Sequence, residues 1–444
     1  MASSLAGGLY TGYQLGSNDT NTRLSPVIGQ LNEQIANVTA ENEALKKNVP
    51  SIAGRTVRIG YIAPETIPYS ISSPPVITPA LSTAKPFIEK IIQPDLNAYA
   101  LSLGLDTRFE FVIGDAMGQP GTHLELVQKL HSSGVDIFIG GGWSSMAGSS
   151  LSYVNTRKML MMSPTSTSPT LAFPNDRLFR MCPADVVTGP AIANIAWSYG
   201  VKELVVVQLG DAYGDGVLYF MVPEYERLGG AIAGKVRYPA DATDYAEYLN
   251  QANTLAKEAI KREGNDTGRV GVLLLALDEA PSVLKQASQF EPLYSLTWFG
   301  GDTAAFSQGI VNTAPIEASH VKLFSPLARE PDAPIYAALE KRFVEATGSE
   351  FSIYFAYLYD AAAVLARTII ETGSDNATVV ATALPGVCED TYGVSGWLRL
   401  NGFGDRVPPP FDIWYYAEAP NKASEIHIAG TYNPETGKTV WYNQ

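Results

Sequence analysis

Residues 135–171, VDIFIGGGWSSMAGSSLSYVNTRKMLMMSPTSTSPTL, constrain the fold more than any other part of the chain. Two short apolar runs, 135–139 and 159–162, each end in small polar residues. Parallel strands with helices on both faces have this character, because neither side of the strand meets water. The segment between the runs has about the length of one crossover helix with its loops, about a dozen residues or more. Neighbouring strand ends then bring Ser144, Ser145, Ser166 and Thr167 to one rim of the sheet. Free backbone N–H groups and helix N-termini at such a rim suit a carboxylate or phosphate. No base stands beside these hydroxyls in sequence, so the rim is expected to hold an anion rather than to do chemistry. Ser and Thr also cap helices, and spacing alone does not separate the two roles.

The same alternation recurs on both sides. TVRIGYIAP and RFEFVIGD read as strands, with a helix over 83–103 between them that carries Phe87, Ile88, Ile91, Ile92, Leu96 and Tyr99 on one side. The proline-bearing loop ETIPYSISSPP is expected to cover a cleft rather than cross a core. After FRMCPAD the pattern restarts with ELVVVQL, a GDAYGDG turn into a helix, RVGVLLLAL and SLTWFGGDTAAF, then a long apolar helix over 351–370. SGWLRL, FDIWYY and EIHIAGTY read as late strands. This predicts an α/β protein with two doubly wound parallel-sheet lobes. A length of 444 residues fits two domains plus an appendage.

Several function classes lose support. A net charge of −14 argues against a nucleic-acid partner. Two cysteines, Cys182 and Cys388, exclude a disulfide scaffold and a Cys-rich zinc site, and four scattered histidines give no metal or triad spacing. GDAYGDG is not a dinucleotide fingerprint, no phosphate loop occurs, and Gly142-Trp143-Ser144-Ser145-Met146 lacks the second glycine of a nucleophile elbow. Neither an enzyme nor a cofactor or metal site is expected.

The N-terminal part differs. Residues 1–23 have glycines at 8, 12 and 16, a small-residue spacing that fits the trimmed end of a membrane anchor or processed signal, or else a flexible leader. Residues 24–48 form a heptad, with Leu24, Leu31, Val38 and Leu45 at d and Ile28, Ile35 and Asn42 at a. This predicts a parallel coiled-coil stalk and a homo-oligomer, or alternatively one amphipathic helix docked on the body. Sequons at Asn18, Asn37, Asn265 and Asn376 suggest a glycosylated surface protein.

The run MMSPTSTSPTL, then LFRMCPAD and Gly189-Pro190, then GDAYGDG, WFGGDTAAF, FSIYFAYLYDAAAVL and the terminal GTYNPETGKTVWYN, occurs in one order. Over about residues 55–444 it resembles the type I periplasmic binding proteins, in particular the branched-chain amino acid receptor family of ABC importers. The resemblance implies lobes of residues 54–180 with 323–385 and 181–322 with 386–444, joined by three hinge strands crossing near Arg180, Lys322 and Pro385. It implies a small amino acid, with an aliphatic or otherwise uncharged side chain, bound between the lobes. Ser144, Ser145, Ser166 and Thr167 would grip its carboxylate, Asp302 and Tyr213 its ammonium, and Tyr69 would reach in from the first loop. Asp278 and Glu279 depart from an aliphatic pocket and leave a polar or amide ligand open. A membrane permease would be the partner, and the place of work extracellular, anchored at the cell surface. The resemblance puts both cysteines in the second lobe, leaving a Cys182–Cys388 disulfide or two buried thiols. A sensory ectodomain and a structural, filament-forming surface protein are the rival readings.

Overall fold

The computed structural model describes residues 29–37, 39, 52–63, 81–305, 307–418 and 424–442. The first lobe is built on β1 (Thr56–Ala63), β2 (Arg108–Asp115), β3 (Ile137–Ile139), β4 (Leu160–Ser163) and β5 (Leu178–Pro183). The second uses β6 (Glu203–Leu209), β7 (Ala231–Tyr238), β8 (Val270–Leu275), β9 (Thr297–Gly300) and β10 (Phe324–Ala328). A hairpin of β11 (Tyr392–Gly393) and β12 (Gly396–Trp397) comes next, and then β13 (Asp405–Arg406). β14 (Phe411–Glu418), β15 (Ser424–Asn433) and β16 (Lys438–Trp441) close the chain.

The first sheet has the order β13-β5-β4-β3-β1-β2, and all its pairings are parallel. The second has the order β16-β15-β14-β10-β9-β8-β6-β7, parallel from β10 to β7 and antiparallel from β10 to β16. Alternation of side chains along each strand divides every lobe into two cores. Ile137 and Ile139 of β3 enter one core with Leu160 and Met162, while Phe138 enters the opposite one with Met161. In the second lobe Val205 and Val207 face one side and Leu204 and Val206 the other. Burial on both faces explains why these strands read as unbroken apolar runs.

The chain passes between lobes three times. β5 leads directly into the helix Asp185–Tyr199, whose apolar residues join a second-lobe core. The second passage runs along β10, just after Lys322: Phe324 packs in a second-lobe core and Leu327 in the first-lobe core, and the helices Pro334–Thr347 and Ile353–Thr372 follow in the first lobe. The third lies between β13 and β14, at 407–410, not near Pro385. Leu384, Val387 and Cys388 of the helix Ala377–Glu389, with Val394 and Leu398 around the hairpin, bury themselves in the first-lobe core and keep the chain there.

Two smaller points also differ from the sequence pattern. The helix region beginning at Leu81 holds a π-helical turn at Ile88–Ile92, which rotates the face presented by the helix Gln93–Ser102. Phe87, Ile88, Ile91, Ile92 and Leu96 are buried as expected, but Tyr99 is exposed. The helix Ile353–Thr372 is long and apolar enough to cross a membrane, yet it is the central helix of the first-lobe core. Residues 29–37 are helical, with Leu31 and Ile35 exposed. The rest of the heptad, the leader with Asn18, and the loop carrying Tyr69 lie outside the described residues.

Candidate functional site: the cleft between the lobes

The helix Ser144–Arg157 begins at the end of β3, and the loop after β4 runs beside its N-terminus. Gly141 adopts a left-handed φ of 65°, and a Cβ there would come within 2.7 Å of Ala147 Cβ, so the turn requires glycine. Its N–H donates to Nε2 of buried His123 at 2.8 Å, which leaves Nδ1 to carry the proton towards Ser150 Oγ at 2.7 Å. Burial pushes the His123 pKa down to about 4, so the ring stays neutral and works as a support for the turn. Thr165 Oγ1 donates to the Gly142 carbonyl at 2.5 Å and Ser163 Oγ to the Gly141 carbonyl at 3.0 Å. These bonds tie the two hydroxyl-bearing loops into one rim.

Arg180 of β5 fixes the rim from behind. Its Nη1 donates to the carbonyls of Ser166, at 3.1 Å, and Ser168, at 2.7 Å, while Nε and Nη2 form a fork on Asp405 at 2.5 and 2.7 Å. The Thr167 carbonyl accepts from Asp185 N at 2.8 Å. Three successive carbonyls are thereby turned into the framework. The amides of Thr165 and Ser166 share Ser163 Oγ and that of Ser168 donates to Ser144 Oγ at 3.1 Å, so the Thr167 N–H is the amide of this loop left for an anion.

Opposite the rim stands Asp302, just after β9. Its Oδ1 accepts from Tyr213 Oη at 3.0 Å and its Oδ2 from Tyr354 Oη at 2.7 Å. Tyr354 belongs to the first-lobe core and Tyr213 to the second, so both lobes hold this carboxylate. Gly301 makes room, because a Cβ there would overlap the Tyr213 hydroxyl. Asp185, at the start of the second-lobe helix, is wholly buried near it. The Thr167 and Thr188 hydroxyls lean towards Asp185, yet neither of its carboxylate oxygens has a well-formed hydrogen bond. Burial raises the pKa of both aspartates, and the charge of Asp302 raises that of Asp185 further. Two buried carboxylates without a cationic side chain between them favour a proton or an external cation.

Ser144, Thr165 and Thr167 share one small cavity of about 30 Å³ with Tyr213, Asp302, Thr303 and Tyr354. Ser145 lines a larger neighbouring cavity of about 630 Å³, which has Trp143 and Leu277 in common with the small one. Ser166 lies elsewhere: its hydroxyl donates to the Gly141 carbonyl and its N–H to Ser163 Oγ, because neighbouring residues in the loop point opposite ways. Thr165, Thr303 and Tyr354 line the cleft and were missed by sequence reasoning, as was Asp185, buried behind Thr167. Asp185 stood in the quoted LFRMCPAD motif, which was the available signal. Asp278 and Glu279 line the larger cavity.

The cysteines are two free, buried thiols in the first-lobe core, not a second-lobe disulfide. Cys182 on β5 points its Sγ at the Ser166 carbonyl, 3.5 Å away, and Cys388 packs at the end of the helix Ala377–Glu389. Asn37, Asn265 and Asn376 are exposed, and Asn376 Oδ1 also caps the helix after it. Among the described residues, no cluster of His, Cys, Asp and Glu could hold a metal ion.

A hydroxyl rim and the buried carboxylate of Asp302, sharing one cavity between two α/β lobes, define a solute-binding cleft. The model of the family described as periplasmic binding protein matches residues 56–399, and the chain belongs to that family of solute-binding proteins. Membership implies a periplasmic or extracellular location. Its fold is the type I fold of the branched-chain amino acid receptors. A leucine binding protein, LivK, from Thermotoga maritima aligns with a TM-score of 0.67 at 18% identity, over 86% of this chain and 99% of that one. LivJ from Streptococcus pneumoniae, in complex with isoleucine, gives 0.66 at 17%, over 84% and 99%. A solute binding protein from R. palustris, in complex with benzoate, gives 0.63 at 16%, over 84% and 96%. An uncharacterized protein of Methanocaldococcus jannaschii is 26% identical over 372 residues, 79% of this chain and 86% of its own length.

Proposed function

We propose that this chain is the solute-binding component of an ABC importer and captures an α-amino acid between its lobes. Ser144 takes the carboxylate through its hydroxyl and Thr167 through its N–H, with Thr165 framing the site, and Asp302 takes the ammonium with Tyr213 beside it and Asp185 buried behind. The observation that supports this reading is the meeting of Thr167, Ser144 and Asp302 in one small cavity, donors on one wall and a buried carboxylate on the other. Leucine and isoleucine binders share the fold, which is consistent with an amino acid; the benzoate binder has the same fold and a ligand without an ammonium group. Closure is favoured because a ligand held by both lobes stabilises the closed form more than the open one. The handover partner is a membrane permease.

Calorimetry with a panel of L-amino acids tests this. Charge-assisted hydrogen bonds contribute about 1.5–3 kcal/mol each, so Asp302→Ala is expected to lose about a hundredfold in affinity. Unchanged binding by that variant removes Asp302 from the site.

Leu31 and Ile35, four residues apart and both exposed on the N-terminal helix, support pairing of residues 24–48 with a second copy. Sedimentation of the full chain beside one starting at Ala53 checks it, with equal monomer masses as the contrary result.

A further inference from the structure

The larger cavity beside the amino acid grip has a chemistry of its own. Its volume of about 630 Å³ is far beyond the 30 Å³ of the grip and lies in the range of about 300–1,000 Å³ that encloses whole ligands. A branched aliphatic side chain entering from the grip would leave most of it to water.

Its walls favour a cation. Trp143, Tyr238 and Tyr245 present aromatic surface, and Asp211, Asp241, Asp278 and Glu279 present carboxylates, while among the described residues no Lys, Arg or His lines it. Three of the four acids are accounted for. Glu279 is held in place by Tyr238 Oη, at 2.7 Å, and by Leu277 N, at 3.1 Å. Asp211 caps the helix Ala212–Leu228 through Oδ1, and Asp241 is exposed to water. Asp278 is the exception: its Oδ2 is shielded from solvent and has no hydrogen-bond partner. A buried carboxylate oxygen left without a donor is destabilising, and nothing in the packing of this loop supplies one. An acidic ligand would be repelled by the same wall, and an aliphatic one would leave Asp278 as it is.

We propose that this annex receives a second positive charge, so that the ligand is an α-amino acid with a basic side chain. This rests on the grip reading above. The apolar stem lies along Trp143 and the tyrosines, and the guanidinium or ammonium head meets Asp278 and Glu279. Aromatic faces attract a desolvated cation as well as an apolar stem, so one wall serves both parts of such a side chain.

The test compares L-arginine with L-citrulline, which has nearly the same shape and no side-chain charge, and with L-leucine, on the full chain by calorimetry. Arginine is expected to bind at least about tenfold tighter than citrulline, the size of one charge-assisted contact. Asp278→Asn, checked for folding by thermal denaturation, should bring that ratio close to one. If this variant does not fold, Asp241→Asn at the exposed lip should narrow the ratio by a smaller factor. Citrulline or leucine binding as tightly as arginine overturns the inference and leaves the grip intact. A ratio unchanged in the variants also overturns it, since the preference then arises elsewhere. Failure of all three amino acids to bind overturns the grip as well.

Discussion

Arg180 with Asp405, and Asp185 with Asp302, are two pairs of buried charged residues on either side of the same loop, and they are resolved in opposite ways. Arg180 is wholly buried and meets Asp405 in a fork, and its remaining donors take two loop carbonyls. Asp185 and Asp302 are enclosed too but carry the same charge, softened by the tyrosines on Asp302 and by the threonine hydroxyls that lean towards Asp185. A buried charge satisfied within the chain holds structure in place. A buried charge left unsatisfied is tolerated where something outside the chain completes it, and it weakens the empty state in the meantime.

Breaking the satisfied pair gives the largest effect. Arg180→Ala strands Asp405 and frees the carbonyls of Ser166 and Ser168, so denaturant unfolding should show a loss of about 3–5 kcal/mol. Removing Asp405 as well should restore part of it, because no lone buried charge remains. A loss under about 1 kcal/mol in the single variant would mean that the fork does not hold the rim.

Changing the unsatisfied pair should act with the other sign. Asp185→Asn is expected to stabilise the empty protein by about 1–3 kcal/mol at neutral pH while weakening amino acid binding. The sign comes from linkage: the folded pKa of Asp185 is raised above its unfolded value, so the folded state binds protons more readily. The penalty of ionising Asp185 is therefore full above the raised value and disappears as pH falls towards about 4, the ordinary carboxylate range. The gain from the variant should fade over the same interval. A variant that is less stable than the parent at neutral pH would show that the carboxylate is satisfied in some other way. Tyr354→Phe should have the smallest effect, a single hydrogen bond to Asp302 of about 0.5–1.5 kcal/mol, read as a loss of affinity of up to about tenfold.

The same contrast separates what was legible in the sequence from what was not. Strands such as β3, β4, β6 and β8 announce themselves because burial on both faces demands unbroken apolar runs. The loops after them can be placed from the strand ends. Which hydroxyl of a short loop faces the cleft cannot, because the choice depends on the carbonyls Arg180 takes, and so Thr165 rather than Ser166 lines the cavity. Tyr354 is hidden by its setting, an apolar helix where a tyrosine reads as one more core residue. The third passage between lobes was misplaced because Cys388, Val394 and Leu398 owe their lobe to long-range packing. The annex brings Trp143, Tyr238, Tyr245 and Asp278 together from both lobes, a convergence that no local spacing encodes.

The presence of a ligand cation at Asp185 and Asp302 is tested most directly by removing only that cation. Calorimetry of the tightest-binding L-amino acid against its α-hydroxy analogue, which keeps the carboxylate and the side chain, isolates it. The hydroxy acid should bind about a hundredfold more weakly, the loss of about two charge-assisted contacts. Equal affinities would mean that the buried aspartates wait for no ammonium group.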